Sequence, residues 1–402
     1  MNFDKSLLKG SIVLLVGFGI YNFFNFFFQF VMARMLTISD YGVLATIFSM
    51  FYMLTVFIEG TQTVIAKVAA TNKDKGSLKN ILKRSFKKSI KIACWLFIAY
   101  TLISFFILRP ALKIDYGLLI LAGIGIFTSL TLPINRGLMQ GRKKFFDLSV
   151  NLIIESVVKL ILGIFFVTVG FAVYGAVVGT LLGAFVALTF SFRAFRDISD
   201  SNESNAETKQ IYSYSVPTFF ITTVIIAFYS LDVLIARFLF TPEIAGKYAI
   251  ASILAKTIFW GTQPISRAMF PISAENNQTN SEKKSHILLN AFIFLGLLVL
   301  IATLLFYFFS PQLVSLFSGK IIPESAEIIL YLVIGMAALS FTNLFLIYKL
   351  STHRIKGYMA TALFLLIEIG ILFIFSNSLL EYSIGFMIAS FILLIGSLLS
   401  VK

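Results

Sequence analysis

An apolar run of roughly 20 residues recurs twelve times in this chain, and no other feature constrains its folding so strongly. The runs cover 10–33, 41–66, 89–108, 116–135, 148–170, 172–192, 211–236, 243–270, 287–309, 325–348, 357–376 and 380–400. At about 1.5 Å per helical residue, each is long enough to cross a hydrocarbon core of about 30 Å. A crossing segment finds no water for its backbone, so each must be a helix that pairs its own amides. Composition agrees: 58% of the 402 residues are apolar and 13% charged, against about 45 to 50% and about 25% in a soluble domain. The sequence predicts an all-α integral membrane protein of about twelve transmembrane helices. The first run is too long for a signal-peptide core and ends at Arg34 rather than at a small-residue cleavage site, so it is expected to stay as an anchor.

Basic residues give an orientation. With the N-terminus inside, the cytoplasmic segments hold 25 of the 33 Lys and Arg, including nine between Lys67 and Lys91 and four between Arg136 and Lys144. The asymmetry predicts a cytoplasmic-membrane protein with both termini in the cytoplasm. Anionic lipid headgroups then account for the net charge of +14, and no nucleic-acid partner is needed. Between Ser77 and Lys91, Leu78, Ile81, Leu82, Phe86 and Ile90 alternate with lysines and Arg84, which reads as an interfacial amphipathic helix. The single cysteine, Cys94, and two histidines, His286 and His353, supply neither a disulfide framework nor a metal site, and no cofactor is expected. Both histidines read as interfacial residues flanking spans.

The chain repeats. A hydrophilic stretch, 196–210, separates an N-terminal six-span half, 1–195, from a C-terminal one, 211–402, and is expected to be a flexible cytoplasmic linker. Ala33-Arg34-Met35-Leu36 closes the first span and Ala236-Arg237-Phe238-Leu239 the seventh, 203 positions later. Gly60-Thr61-Gln62 in the second span recurs as Gly261-Thr262-Gln263 in the eighth, 201 positions later. Two matches at nearly one offset, in spans of equal rank, indicate duplication. Ser39-Asp40-Tyr41-Gly42 and Thr241-Pro242-Glu243 look like equivalent helix starts, each with a capping side chain and an acid at the positive end of the dipole. The basic turns 140–144 and 352–356 form a looser third pair.

Ala33 to Leu36, Asp40-Tyr41-Gly42 and Gly60-Thr61-Gln62 together resemble the N-terminal signature of polysaccharide exporters, the O-antigen-flippase branch of the multidrug, oligosaccharidyl-lipid and polysaccharide exporter superfamily. The turn 140–144 is similar to that family's basic loop before its fifth span. The resemblance implies two six-helix bundles related by pseudo-two-fold symmetry in a V, with spans one, two, seven and eight lining a central cavity. It also implies an activity: moving a lipid-linked oligosaccharide outward across the cytoplasmic membrane. Twelve spans are expected here against two more in some members of that family, which leaves the exact subfamily open.

Polar residues inside the spans carry the residue-level reading. A charge at a span centre costs about 2.5 to 3.5 kcal/mol on insertion scales, so it should face protein or water and find a partner. Asn22, Asn25 and Gln29 fall within an arc of about 60° on the first span. Tyr52, Thr55, Glu59, Gln62 and Thr63 share a face of the second. The repeat places Asp232 at the position matching Gln29 and Lys256 at the position matching Thr55, and Ser252, Lys256 and Gln263 share a face of the eighth span. Asn22, Asn25, Gln29, Thr55, Glu59, Gln62, Asp232, Lys256 and Gln263 are therefore the expected cavity residues. Arg34 and Arg237, at the outer ends of their helices, are expected interfacial anchors and candidate phosphate contacts. An ion pair between Glu59 and Lys256 is geometrically reachable, either as a static clamp or as a gate. Glu155 and Lys159 are spaced for an intrahelical pair, and Glu368 stands without a basic neighbour. Pro133, Pro217 and Pro264 are expected kink sites.

A sugar hydroxyl entering hydrocarbon unpaired costs several kcal/mol and a phosphate far more, so a polar cationic groove is what a flippase must supply. Lys256 with the amide side chains is expected to take the headgroup while the lipid tail stays in the bilayer, the bundles rocking between the two faces. On this reading Lys256→Ala abolishes translocation in vesicles and leaves folding intact. The coupling ion, H+ or Na+, has Glu59 and Asp232 as alternative seats. Rivals are a cation-coupled multidrug antiporter of the same superfamily, an uncoupled scramblase, and a membrane polysaccharide polymerase or ligase. That enzyme would need an external catalytic loop, and the predicted outer segments are short, so a non-enzyme is expected.

Overall fold

A computed structural model of the chain describes residues 5–72, 74–199, 201–204, 216–276, 281–351 and 356–401. Each of the twelve apolar runs holds a helix among the described residues: α1 Lys5–Met35, α2 Ile38–Thr71, α3 Lys75–Ile103, α4 Tyr116–Gly141, α5 Phe145–Phe166, α6 Ala172–Ser191, α7 Val216–Leu239, α8 Pro242–Asn276, α9 Ser281–Ser318, α10 Pro323–Ser351, α11 Thr361–Ile374 and α12 Leu379–Ser400. No strand occurs among the described residues. Nine helical stretches there are long and apolar enough to cross a membrane. One of these, Phe145–Phe195, contains two runs and turns at Gly170, whose φ of +102° a side chain would strain. The other two runs are α8, diluted by its polar face, and α11, which with its preceding 3-10 turn spans Tyr358–Ile374. The expected all-helical membrane architecture is therefore observed.

The chain forms two compact units. One contains Met1–Leu36 and Leu54–Ser215, the other Thr37–Met53 and Val216–Lys402, so α2 contributes to both. In the first unit α5 packs along α6 and α1, and α4 along α3 and α6. At one end Ile65, Val68, Leu78, Ile81, Leu82, Leu138, Met139 and Leu152 form a core with Ala194 and Ile198. That core corrects the amphipathic-helix expectation: Leu78, Ile81 and Leu82 cover the bundle end instead of lying among headgroups. Burial against protein satisfies the apolar stripe, while Lys83, Arg84, Lys87 and Lys88 stay exposed.

The first part of the expected linker is likewise built in. It begins with a helical turn, Arg196–Ser199, and then docks on α3, where Lys79 donates to the Ser201 carbonyl at 3.0 Å and Lys83 pairs with Glu203 at 2.7 Å. Asp74 caps α3 through the Gly76 and Ser77 amides and accepts from the Ser204 hydroxyl, which together hold its carboxyl below the ordinary carboxylate range. Linker residues 205–210 and His353 lie outside the described residues, as do the side chains of His286 and Pro217.

In the second unit α10 is the hub, packed by α8, α9 and α12. Its Gly335, Ala337, Ala338 and Ser340 let neighbours approach closely, which is how helices associate where lipid removes the hydrophobic drive. The opposite case is α9, whose Ile293, Phe294, Leu297 and Ile301 are exposed as a lipid-facing surface. Phe23, Phe26 and Phe27 of α1 are exposed in the same way, whereas Phe28 is fully buried.

The helix start expected at Ser39 sits two residues earlier. Thr37 caps α2, accepting from the Asp40 amide at 3.1 Å and donating to its carboxylate at 2.7 Å, so the equivalent of Thr241 is Thr37. Four residues into each helix, Gly42 and Gly246 meet. A Cβ on Gly42 would lie 2.8 Å from the Gly246 Cα, and one on Gly246 would lie 2.1 Å from the Ile38 carbonyl oxygen. Pro133 is accommodated within a continuous α4, while the described kink is at Phe309 (φ −123°), two residues before Pro311.

Candidate functional site

In the second unit, helical spacing puts Tyr229 and Asp232 (i, i+3) on one face of α7, and Tyr248, Ser252 and Lys256 (i, i+4, i+8) on one face of α8. A two-residue turn joins these helices, and the two faces close on Asp232. Its carboxylate accepts from Lys256 Nζ at 2.8 Å, Ser252 Oγ at 2.6 Å and Tyr248 Oη at 3.2 Å. Its backbone carbonyl accepts from Tyr382 Oη on α12 at 2.6 Å. Asp232 is 0% exposed and Lys256 4%, so this is an ion pair taken fully out of water. Two desolvated charges are tolerated only with good geometry and extra hydrogen bonds, and the two hydroxyls on the carboxylate supply them.

An aromatic wall covers the ammonium. Lys256 Nζ lies 4.7 Å from the Tyr229 ring centroid, an arrangement the ring quadrupole favours. The Trp260 indole donates to Tyr229 Oη at 2.8 Å, and the Tyr52 ring meets Tyr229 edge-on at 5.3 Å. Trp260 remains 40% exposed, so the cluster runs from a buried charge to an accessible aromatic surface. Glu368 of α11 is also fully buried and within electrostatic reach of Asp232 and Lys256.

The expected pairing of Lys256 with Glu59 is thus replaced by one inside a single unit. Asp232 stands on the adjacent helix and is fully buried, whereas Glu59 is exposed. A buried ammonium gains most from the partner that shares its low-dielectric surroundings.

The first unit has its own buried polar chain. Arg136 of α4 donates Nε to Asn151 Oδ1 at 2.8 Å and pairs with Glu155, both on α5. Asn151 in turn donates to the Ala187 carbonyl at 2.7 Å, and Asn135 donates to Ser191 Oγ at 2.6 Å. Lys159 donates to Asn25 Oδ1 at 2.9 Å, its ammonium 4.4 Å from the Phe28 ring centroid. Two expectations are corrected here. Glu155 takes Arg136 rather than Lys159 as its hydrogen-bonded partner, because the guanidinium reaches Asn151 and Glu155 together with its fork of donors. Arg136, counted from the sequence with the cytoplasmic segment that follows the fourth span, is itself buried. Arg136→Ala is expected to lower stability by about 2 kcal/mol, since Glu155 keeps a 20% exposed side chain to rehydrate. Thermal unfolding in detergent measures it.

Of the other predicted residues, Gln62 donates to Gln140 Oε1 on α4 at 2.9 Å, Asn25 also donates to the Tyr21 carbonyl at 2.9 Å, and Gln29 is buried. Asn22 is exposed, and Thr55 and Gln263 are half-buried. The structure therefore brings together Asp232 with Lys256, Asn25 with Lys159, and Gln62 with Gln140. The two arginines diverge. Arg34 is exposed, with its guanidinium 4.5 Å over Phe30, whereas Arg237 is buried, which removes it as an interfacial anchor. Tyr229 and Tyr248 were within reach of the same helical spacing that singled out Asp232 and Lys256. Tyr382 had no such signal, because it comes from a distant helix.

The family described as "Polysaccharide biosynthesis protein" matches residues 7–277. An uncharacterized membrane protein of Methanocaldococcus jannaschii is 24% identical over 291 residues, which is 66% of this chain and 67% of that one. Among solved structures, the fold is shared with a MATE protein in complex with MaL6 (TM-score 0.61, 16% identity, 98% of this chain and 94% of that one). It is also shared with an outward-facing multidrug resistance MATE family transporter of the MOP superfamily (TM-score 0.58, 16% identity, 99% and 95%). A third is a MOP superfamily transporter from Pyrococcus furiosus described as having a binding pocket of reverse polarity (TM-score 0.57, 16% identity, 98% and 94%).

Proposed function

The chain belongs to the polysaccharide biosynthesis protein family, and from that premise we propose that it is a flippase. It carries a lipid-linked oligosaccharide or polysaccharide precursor from the cytoplasmic to the outer leaflet of the cell membrane by alternating access, with both termini in the cytoplasm. The observation that carries this reading is the buried ion pair of Asp232 and Lys256 beside an aromatic surface. A helical membrane protein gains little stability from such a pair over apolar packing, so charge kept in this place suits a function. Drawn away from Asp232, Lys256 would offer a cation to a phosphate, and the exposed Trp260 with the half-buried Tyr52 offers flat faces to a sugar. Asn22, Asn25, Gln29, Thr55, Glu59, Gln62 and Gln263 complete the polar passage in this proposal, and Arg34 meets the phosphate at its exit.

The transport barrier being removed is desolvation. Each sugar hydroxyl or phosphate oxygen leaving water must find a donor or acceptor on the protein, while the lipid tail never leaves hydrocarbon.

The test is a vesicle assay with purified protein and a fluorescent lipid-linked oligosaccharide whose headgroup is attacked by an added glycosidase. The expected result is protein-dependent movement of the headgroup between leaflets. Export of an organic cation down a proton gradient, with no headgroup movement, would select the antiporter instead.

A further inference from the structure

Glu368 has no part in the passage described above, yet among the described acids of the second unit it is the most unusual. It lies in α11 and is 0% exposed, and neither carboxyl oxygen has a hydrogen-bond partner among the described residues. Asp232 on α7 and Tyr382 on α12 come from the helices packed against α11, and Lys256 and Tyr248 on α8 also lie within electrostatic reach of it. Arg237, in the last turn of α7, and Glu381, in the first turn of α12, stand at helix ends. Asp232 and Lys256 already cancel each other's charge, and the hydroxyls of Ser252 and Tyr248 are spent on Asp232.

An ionised Glu368 would therefore add one uncompensated negative charge to a site closed to bulk solvent, with no donor to either oxygen among the described residues, a costly arrangement for a buried carboxyl. A neutral acid avoids that cost. The ammonium of Lys256 already holds the Asp232 carboxylate, where a metal cation would have to compete with it, which leaves the proton as the ion Glu368 can gain and lose.

We propose that Glu368 is a proton-binding site whose occupancy switches the Asp232–Lys256 ion pair. With its proton on, Glu368 is neutral and Lys256 belongs wholly to Asp232. When the proton leaves, two carboxylates face one ammonium, and Lys256 is drawn from Asp232 toward Glu368. The Tyr229 ring, which Lys256 touches, and the Trp260 indole hydrogen-bonded to Tyr229 move with it. The proposal extends the transport reading by naming a coupling ion and its seat, and its test needs no transport, so either idea fails separately.

The chain has two tryptophans, and Trp95→Phe leaves Trp260 as the sole indole reporter. In that protein, purified in nanodiscs, Trp260 emission is expected to show a single step across about pH 4 to 10, with the same midpoint in sodium and in potassium buffers. The step should vanish when Glu368→Gln is added. Absence of the step in the parent, its persistence in the Glu368→Gln protein, or a midpoint that moves with sodium would overturn the assignment. Should Glu368→Gln fail to fold, infrared spectra of the parent serve instead. A carbonyl stretch from a protonated carboxylic acid free of hydrogen bonds is expected to disappear over the same pH step, and lack of such a band at every pH would overturn the proposal.

Discussion

Lys256→Ala is expected to destabilise the protein by about 3 to 5 kcal/mol, because it strands the fully buried carboxylate of Asp232. The sequence reading expects an intact fold for this variant; the buried pairing with Asp232 reverses that expectation. The two hydroxyls on Asp232 soften the loss without neutralising a charge that has no water to return to. Removing both charges separates stability from function. In Asp232→Asn with Lys256→Gln, two amides replace the ion pair, with the hydroxyls of Ser252 and Tyr248 still at hand. Most of the stability should return, since a buried ion pair contributes little net free energy over neutral groups of similar size. Thermal unfolding of the single and double variants in detergent checks this. A single variant as stable as the wild type would show that the pair is open to solvent and that its burial has been misread.

Gly246→Val should be the next most damaging change, lowering stability by about 3 kcal/mol, the upper end of the usual cost of overpacking. The new side chain would start 2.1 Å from the carbonyl oxygen of Ile38, and a backbone atom cannot rotate aside as a side chain can. Gly42 faces the same seam, 2.8 Å from the Gly246 Cα, so the start of α2 would have to move as a whole. Gly261→Ala, where a Cβ meets nothing within 4 Å, is the matched control and should be close to neutral. The comparison separates close helix approach from loss of backbone freedom, which both substitutions share.

The architecture was legible because a bilayer permits few solutions: twelve apolar runs of spanning length became twelve helices, and polar stripes at helical spacing led to Asp232, Ser252 and Lys256. Pairing was not legible. Periodicity shows which residues share a face, but not which neighbouring helix meets that face, so Lys256 was joined to Glu59 when Asp232 held it, and Glu155 to Lys159 when Arg136 did. The same gap hid Glu368 and Tyr382, whose approach to Asp232 depends on how α11 and α12 fold back on α7. Depth was misjudged where a basic residue stood near a helix end: Arg136 and Arg237 read as surface residues and are buried. The stripe of Leu78, Ile81 and Leu82 was correctly amphipathic, yet amphipathicity does not distinguish a lipid surface from the end of a bundle.

The central claim is that charge is kept inside this membrane protein to pass a charged headgroup, not to hold helices together. Headgroup flipping by the Asp232→Asn, Lys256→Gln double variant, reconstituted at the same folded density as the wild type, tests it most directly. The account predicts a protein that folds and inserts but moves the lipid-linked oligosaccharide at least about tenfold more slowly, equivalent to ~1.4 kcal/mol of added barrier. Equal rates for the two proteins would contradict it and leave the ion pair a structural clamp.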